Sequence, residues 1–240
     1  KGLTRAEARS RMYQPSYFAG MMVRQGDADA LVGGIESHYS ELIRPALEVI
    51  GRADGVRKVA GMYVVALRGR ELLFFGDTAV NIDPDADALT DIALLTAGFV
   101  EKLGIAPRIA MVSFSNFGSV RHPQAQKVRQ AVMQVKELRP DIEIDGEMQA
   151  DTALNTEILQ SQYGFSDLKR AANVLIFPGL SSANSAYKLL AELGGAEVIG
   201  PILLGMRHPV HFLQRGSTVP DIINLVTLAV VDAPVRSEPH

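Results

Sequence analysis

Continuous apolar runs that end in small polar residues, separated by stretches of helical period, constrain this 240-residue chain more than any other feature. "PRIAMVSFS" (107–115) and "ANVLIFP" (172–178) read as strands buried on both faces. A strand without alternation has no solvent face, and a sheet covered on both sides points to parallel pairing. "KVAGMYVVAL" (58–67) and "ELLFFGD" (71–77) predict paired strands around a turn at Arg68–Arg70. Helical periods fall at about 86–103, 123–138, 147–160 and 182–193, and a last one over 219–231 sets Val219, Ile222, Ile223, Val226 and Ala229 on one face. Strands alternating with helices predict an α/β fold with a mostly parallel sheet. Pro234, Pro239 and the polar tail predict a frayed end.

Ligands of such sheets meet the carboxyl ends of the strands. The segments to inspect are therefore "GDTAVN" (76–81), "SFSNFGS" (113–119), "FPGLSSAN" (177–184) and "HFLQRGSTVPDII" (211–223). Free backbone N–H groups and small hydroxyls in these loops would suit an anionic, phosphate-bearing ligand. Ordinary turn chemistry is the better account of any one of them alone, and the four together point more toward a ligand.

Composition closes several routes. With 47% hydrophobic residues the chain can bury a large core, as one domain or two lobes. A formal charge of −3 supplies no basic field for nucleic acid. No apolar run approaches the roughly 18 residues that span a bilayer. The absence of cysteine excludes disulfides, thiolate nucleophiles and Cys-held metals, and suits a cytoplasmic setting. "KGLTRAEARSRM" opens without an initiator methionine on a helix predicted to be capped by Thr4 with Glu7, which reads as the interior of a longer protein.

Several motifs fail on their own terms. "DPDAD" (83–87) has the aspartate spacing of an EF-hand, but Ala88 and Leu94 stand where glycine and glutamate are needed. Asp83 as helix cap with Pro84 at the first helical position accounts for the stretch. His208 and His211 in "HPVH" have no third ligand nearby and read as a polar loop beside a strand, so no metal site is assigned. Gly194, Gly195 and Gly200 do not form a dinucleotide fingerprint. Arg44 precedes Pro45, which disfavours helical geometry and predicts a kink or a helix start there. Such an arginine can aim its fork at a phosphate or carboxylate, and a surface salt bridge explains it equally well.

"QPSYFAGMMVRQGDADALVGG", "IRPAL", "GDTAVNIDP", "PRIAMVSFSNFGS", "IDGEMQADTAL", "ANVLIFPGLSSANSAYKLL", "GGAEVIGPILLGMRHPV" and "QRGSTVPDIINLVTLAVV" together resemble the phosphate acetyltransferase family. They look most like its diverged branch, fused as the C-terminal domain of bacterial NADP-dependent malic enzymes. The likeness runs from about residue 4 to 233. It implies a two-lobed fold of the isocitrate/isopropylmalate dehydrogenase-like kind, with mostly parallel sheets and an acyl-CoA cleft between the lobes. Residues 1–57 and 212–240 would be a remnant of an incomplete first lobe, and 58–211 a second lobe that forms a dimer or larger homo-oligomer.

In the active family, the stretch matched by "QRGSTVPD" begins Ser-Arg and ends in Asp. The resemblance implies a general base at Asp221, a phosphate or acyl-oxygen ligand at Arg215 and a second phosphate-site arginine at Arg44. Gln214 stands at the serine position. A thiol with a free pKa of about 8.5 is mostly protonated at pH 7, so a positioned carboxylate assists it. The oxyanion that follows needs donors, and losing one typically costs about a hundredfold or more. Gln214, Arg215 and Asp221 thus read as a vestigial triad. Arg44, Ser113, Ser115, Asn116, Gly118, Ser119 and Arg215 are expected to bind acetyl-CoA or phosphate. The leading expectation is an acetyl-CoA-binding regulatory and oligomerisation domain without a cofactor of its own. Its parent would convert malate to pyruvate with NADP and a divalent metal held in dehydrogenase domains elsewhere on the same chain. An active phosphate acetyltransferase and a purely structural assembly domain are the competing expectations.

Overall fold

The computed structural model describes residues 2–37 and 39–234; Pro239 lies outside them. The chain divides into two compact units, Lys1–Arg57 with Gly200–His240, and Lys58–Ile199. The end of one strand and all of the next belong with the first unit.

Unit 2 is an α/β layer structure. Its strands are β2 (Ala60–Ala66), β3 (Leu73–Gly76), β4 (Arg108–Val112), β5 (Glu143–Met148) and β6 (Val174–Ile176). They lie in the order β2-β3-β6-β4-β5, with β2 and β3 an antiparallel hairpin and the remaining pairs parallel. Every residue of β3, β4 and β6 is buried, which is the physical content of the unbroken apolar runs. Helices α4 (Ala86–Lys102) and α5 (Pro123–Leu138) pack on each other and on strands of this sheet. A second cluster joins Val112, Met148 and Leu175 to Ala153 of α6 (Ala150–Leu154), Leu159 of α7 (Thr156–Gln162) and Tyr187 of α8 (Leu180–Gly194).

Two local expectations are corrected here. The helical period over 147–160 is divided: β5 takes its beginning, and Asn155 separates α6 from α7 by accepting from the Glu157 and Ile158 N–H groups at 2.9 and 3.2 Å. The cap of α4 is Asp85, whose Oδ1 accepts from Ala88 N–H at 2.8 Å. Asp83 instead pairs with Lys127 at 2.7 Å, so Pro84 precedes the cap rather than following it.

Unit 1 contains α1 (Arg5–Arg11), α2 (Pro15–Gln25), β1 (Leu31–Gly33), α3 (Tyr39–Val49), the end of β7 (Glu197–Leu204), β8 (Val210–Phe212) and α9 (Val219–Asp232). β1 pairs parallel with β8, and β8 antiparallel with β7. Thr4 and Glu7 form the expected capping box. α3 continues through Pro45 from Tyr39, so no helix starts at Arg44. Burial of Leu42, Ala46 and Val49 along one side of α3 outweighs the local preference of the residue before proline. α9 forms where expected, but it buries Leu225 and Ala229. Val219, Ile223 and Val226 are 68%, 58% and 43% exposed, so apolar periodicity located the helix without identifying the face it covers.

Between β1 and α3 the chain turns at Gly34, whose φ is +96°. A Cβ there would stand 2.2 Å from Leu42 Cδ1. Gly34→Ala therefore combines backbone strain with a core clash, and should destabilise the protein by about 2 kcal/mol or more. Urea denaturation of the variant against the parent measures the loss.

Candidate functional site

The chemistry-bearing residues fall in both units, and each group is built locally. In unit 1, β8 ends at Phe212 and the chain turns through 214–217, where Ser217 N–H donates to the Gln214 carbonyl at 3.1 Å and Gly216 takes φ +84°. Ser217 Oγ accepts from the Gln214 N–H at 3.1 Å. Thr218 then caps α9 in a reciprocal box with Asp221: Thr218 N–H and Oγ–H donate to Asp221 Oδ2 at 2.7 and 2.8 Å. Pro220 sits inside the first turn, where its missing N–H costs nothing. The carboxylate that the resemblance makes a general base thus has one oxygen tied to the helix start.

Arg215 is exposed and reaches the Glu36 carbonyl at 3.4 Å. That carbonyl belongs to the loop after β1, which also borders an apolar cavity of about 250 Å³ lined by Gly20, Val32, Gly33, Gly34, Ser37 and Phe212, among others. Sequence reading did not single out Gly33, Gly34 or Ser37. Their signal was a strand followed at once by two glycines and a polar residue.

Arg44 is 72% exposed on α3, and its Nε donates to Glu48 Oε1 at 2.8 Å. Glu48 also accepts from Tyr17 Oη at 2.7 Å and pairs with Arg11. The Tyr17 hydrogen bond first, and the Arg44 one next, hold the Glu48 carboxyl at about 2. Of the two readings open for Arg44, the surface salt bridge is the one seen. An exposed pair of this kind contributes little on its own and can exchange for another anion.

In unit 2 the carboxyl ends of β3, β4, β5 and β6 share one edge of the sheet. The loops after β3 and β4 turn most of their N–H groups inward instead of leaving them free. Asp77, 3% exposed, accepts from the N–H groups of Gly61 (2.9 Å), Val80 (3.1 Å) and Asn81 (2.7 Å), and from the Asn81 amide. Burial pushes its pKa up against these bonds. The 113–119 loop folds around Glu147, which has no exposed surface. Glu147 Oε1 accepts from Ser115 Oγ (2.9 Å), Gly118 N–H (2.8 Å) and Arg129 Nη2 (3.0 Å), and Oε2 from Arg129 Nε (3.0 Å). Phe117 N–H donates to the Glu147 carbonyl at 2.7 Å, Asn116 N–H to Ser119 Oγ at 3.0 Å, and Val120 N–H to Ser115 Oγ at 3.1 Å. Asn116 and Gln149 exchange further bonds. Burial pushes the Glu147 carboxyl up, and the bonds from Arg129, Gly118 and Ser115 outweigh it, so it lies below the ordinary glutamate range. Ser113, Ser115, Asn116, Gly118 and Ser119 are therefore brought together, but the loop's donors are turned inward.

The 177–184 segment differs. Gly179 caps α8 without a side-chain bond, and no acid stands in the first turn. His208 and His211 do not act as a pair. His211 lies in β8 with no exposed surface, its Nδ1 accepts from Leu203 N–H at 3.3 Å, and its Nε2 has no partner. Among the described residues no three His, Asp or Glu side chains gather as a metal-ligand set, and no helix is long and apolar enough to cross a membrane.

Comparison with known proteins identifies the family. The family model for phosphate acetyl/butaryl transferase matches residues 1–230. The chain is 38% identical over 230 residues to the phosphate acetyltransferase of Bacillus subtilis, covering 96% of this chain and 71% of that protein. It is 39% identical over 235 residues to the NADP-dependent malic enzyme of Escherichia coli, covering 97% of this chain but 31% of that one. Among solved structures, a phosphotransacetylase from Streptococcus pyogenes superposes with a TM-score of 0.91 at 37% identity, over 95% of this chain and 70% of that one.

Burial pushes His211 down to about 4, with Asp232 acting in the opposite sense. Its folded pKa lies below the unfolded value near 6.5. Its stabilising contribution is complete above about pH 6.5 and is lost as pH falls from there through about 4. His211→Gln, which keeps an acceptor for Leu203, should flatten the stability profile across this window, by up to about 3 kcal/mol. Denaturant midpoints at half-unit pH steps provide the measurement.

Proposed function

Because the chain belongs to the phosphate acetyl/butaryl transferase family, we propose that it is the phosphotransacetylase-like domain of an NADP-dependent malic enzyme. In this reading it binds acetyl-CoA as a regulator, contributes to oligomer assembly, and does not itself transfer acyl groups. One observation carries it: in the 214–221 segment Gln214 occupies the serine position, while Asp221 is engaged by Thr218 as a helix cap. That carboxylate oxygen is already occupied by two donors of the helix start. The similarity to the Escherichia coli malic enzyme supports the assignment of the parent. Such a parent would decarboxylate malate oxidatively to pyruvate with NADP and a divalent metal. The described residues of this chain offer no ligand set for that metal, and no step of the domain's own action runs through either group. A cytoplasmic location accords with a family of metabolic enzymes.

The binding reading draws on residues in each unit separately. Arg215 and Arg44 offer exposed guanidinium groups to the phosphates or the thioester oxygen of acetyl-CoA. Within unit 2, the 113–119 loop, with Ser113, Ser115, Asn116, Gly118 and Ser119, presents a preorganised polar surface of its own rather than a nest of free N–H groups. A working phosphate acetyltransferase is the second reading, favoured by Arg215 and Asp221 at the family's positions and by the activity in the name of the Bacillus subtilis relative.

Calorimetry should detect acetyl-CoA binding by the chain, with Arg215→Ala weaker by about 1–3 kcal/mol. No heat at millimolar ligand would overturn the reading. The whole parent enzyme should form little acetyl-CoA from acetyl phosphate and CoA. Turnover approaching about 10 per second would establish the transferase instead. Gln214→Ser should restore partial transfer if Asp221 remains aimed at the thiol.

The chain should also sediment as a dimer or larger species at micromolar concentration. Unit 2 exposes Leu189 and Leu193 one turn apart on α8, 58% and 83% exposed, as an apolar surface for such an interface. A concentration-independent monomer would count against assembly through this unit.

A further inference from the structure

We propose that Glu147 and Arg129 are positioning residues for ligand binding: together they set the shape of the 113–119 loop without touching the ligand. The inference rests on the acetyl-CoA reading of the preceding subsection, and adds to it the device that holds the loop. Glu147 lies at the end of β5, on the strand next to the one that carries the loop. Its carboxylate is fully buried, yet it accepts from a loop hydroxyl, a loop N–H and two N–H donors of one guanidinium. The backbone of the same residue accepts the Phe117 N–H. Ser115, Phe117 and Gly118 are thus all referred to one residue on the neighbouring strand.

Arg129 supplies the charge that makes this burial tolerable. A carboxylate in a low-dielectric setting needs a paired cation with matching geometry, and the guanidinium fork provides two parallel bonds. Arg129 stands on α5, with 42% of its side chain exposed. A Cβ at Gly118, whose φ is +88°, would lie 3.0 Å from Arg129 Nη2, so the loop backbone rests directly on the guanidinium. The contact fixes the loop from beneath and leaves its outer surface to the ligand. Loss of the pair leaves a buried acceptor without its cation, and the loop donors then turn to water.

The exposure of Arg129 makes it the better handle, since Arg129→Met alters α5 at its surface whereas Glu147→Gln acts in the core. Hydrogen–deuterium exchange of the full chain reads the loop without any ligand, and calorimetry reads acetyl-CoA affinity. In Arg129→Met, exchange should rise at least tenfold at the amides of Phe117, Gly118 and Val120, and remain unchanged in β4. Affinity for acetyl-CoA should fall at least tenfold, and Arg129→Lys, which keeps the charge but not the fork, should recover part of it. Glu71→Gln serves as the control. It breaks the ion pair with Arg108, the first residue of β4, and should lower the melting temperature without changing either readout. Unchanged loop exchange in Arg129→Met overturns the proposal, with or without ligand. So does faster exchange with affinity within twofold of the parent, or an equal loss of affinity in Glu71→Gln. A parent chain that takes up no acetyl-CoA overturns the binding reading itself, and this outcome is visible before any substitution is made.

Discussion

A sheet covered on both faces has nowhere to send its loops except its two ends, and unit 2 is organised by that constraint. Burial of β3, β4 and β6 on each side brings the carboxyl ends of four parallel strands to one edge. The loops that leave this edge carry backbone donors next to an apolar interior, where an unpaired group costs about 1–3 kcal/mol. Two buried carboxylates meet this demand. Asp77 gathers the donors of the loop after β3, and Glu147 those of the loop after β4. Asp77 does so with hydrogen bonds alone, against a burial that raises its pKa, whereas Glu147 has the Arg129 guanidinium and is held ionised. The difference matters for the proposed acetyl-CoA surface, because a paired carboxylate presents little net charge.

The elements were legible wherever burial is symmetrical or a cap is local. β4 and β6 could be read from unbroken apolar runs, and the Thr4–Glu7 box from its spacing. Arg44, Arg215 and Asp221 could be located through their motifs, yet the partners that define their present state could not. Glu48 is one helical turn from Arg44, but Tyr17 and Arg11 reach the same carboxylate from other helices. The inward turn of the 113–119 donors was equally hidden, since Glu147 is 32 positions from Ser115 and becomes its neighbour only through the pairing of β4 with β5. Local rules also yielded to packing: Pro45 sits within α3 because the apolar side of that helix is buried, and the cap of α4 moved to Asp85 when Asp83 found Lys127.

The proposed separation of family membership from activity rests on the 214–221 segment. There the capping box gives Asp221 a structural task that does not depend on catalysis. Such a box is worth about 1 kcal/mol to a helix. That task alone accounts for an aspartate at this position, so its presence is no measure of transfer chemistry. The residue that bears on chemistry is Gln214, whose backbone is fixed by Ser217.

Helix α9 has a consequence for how the protein behaves among other copies of itself. Val219, Ile223, Val226 and Val230 lie at intervals of four, three and four residues, and all are exposed. Salt acts on such a ridge and on the nearby ion pairs in opposite directions. It screens the attraction between Arg44 and Glu48, while strongly hydrated anions such as sulfate strengthen contacts between apolar ridges. Colloidal behaviour is then governed by the kind of salt as much as by its concentration. Sulfate drives the molecules together through α9, and chloride at the same ionic strength mainly loosens the arginine pairs.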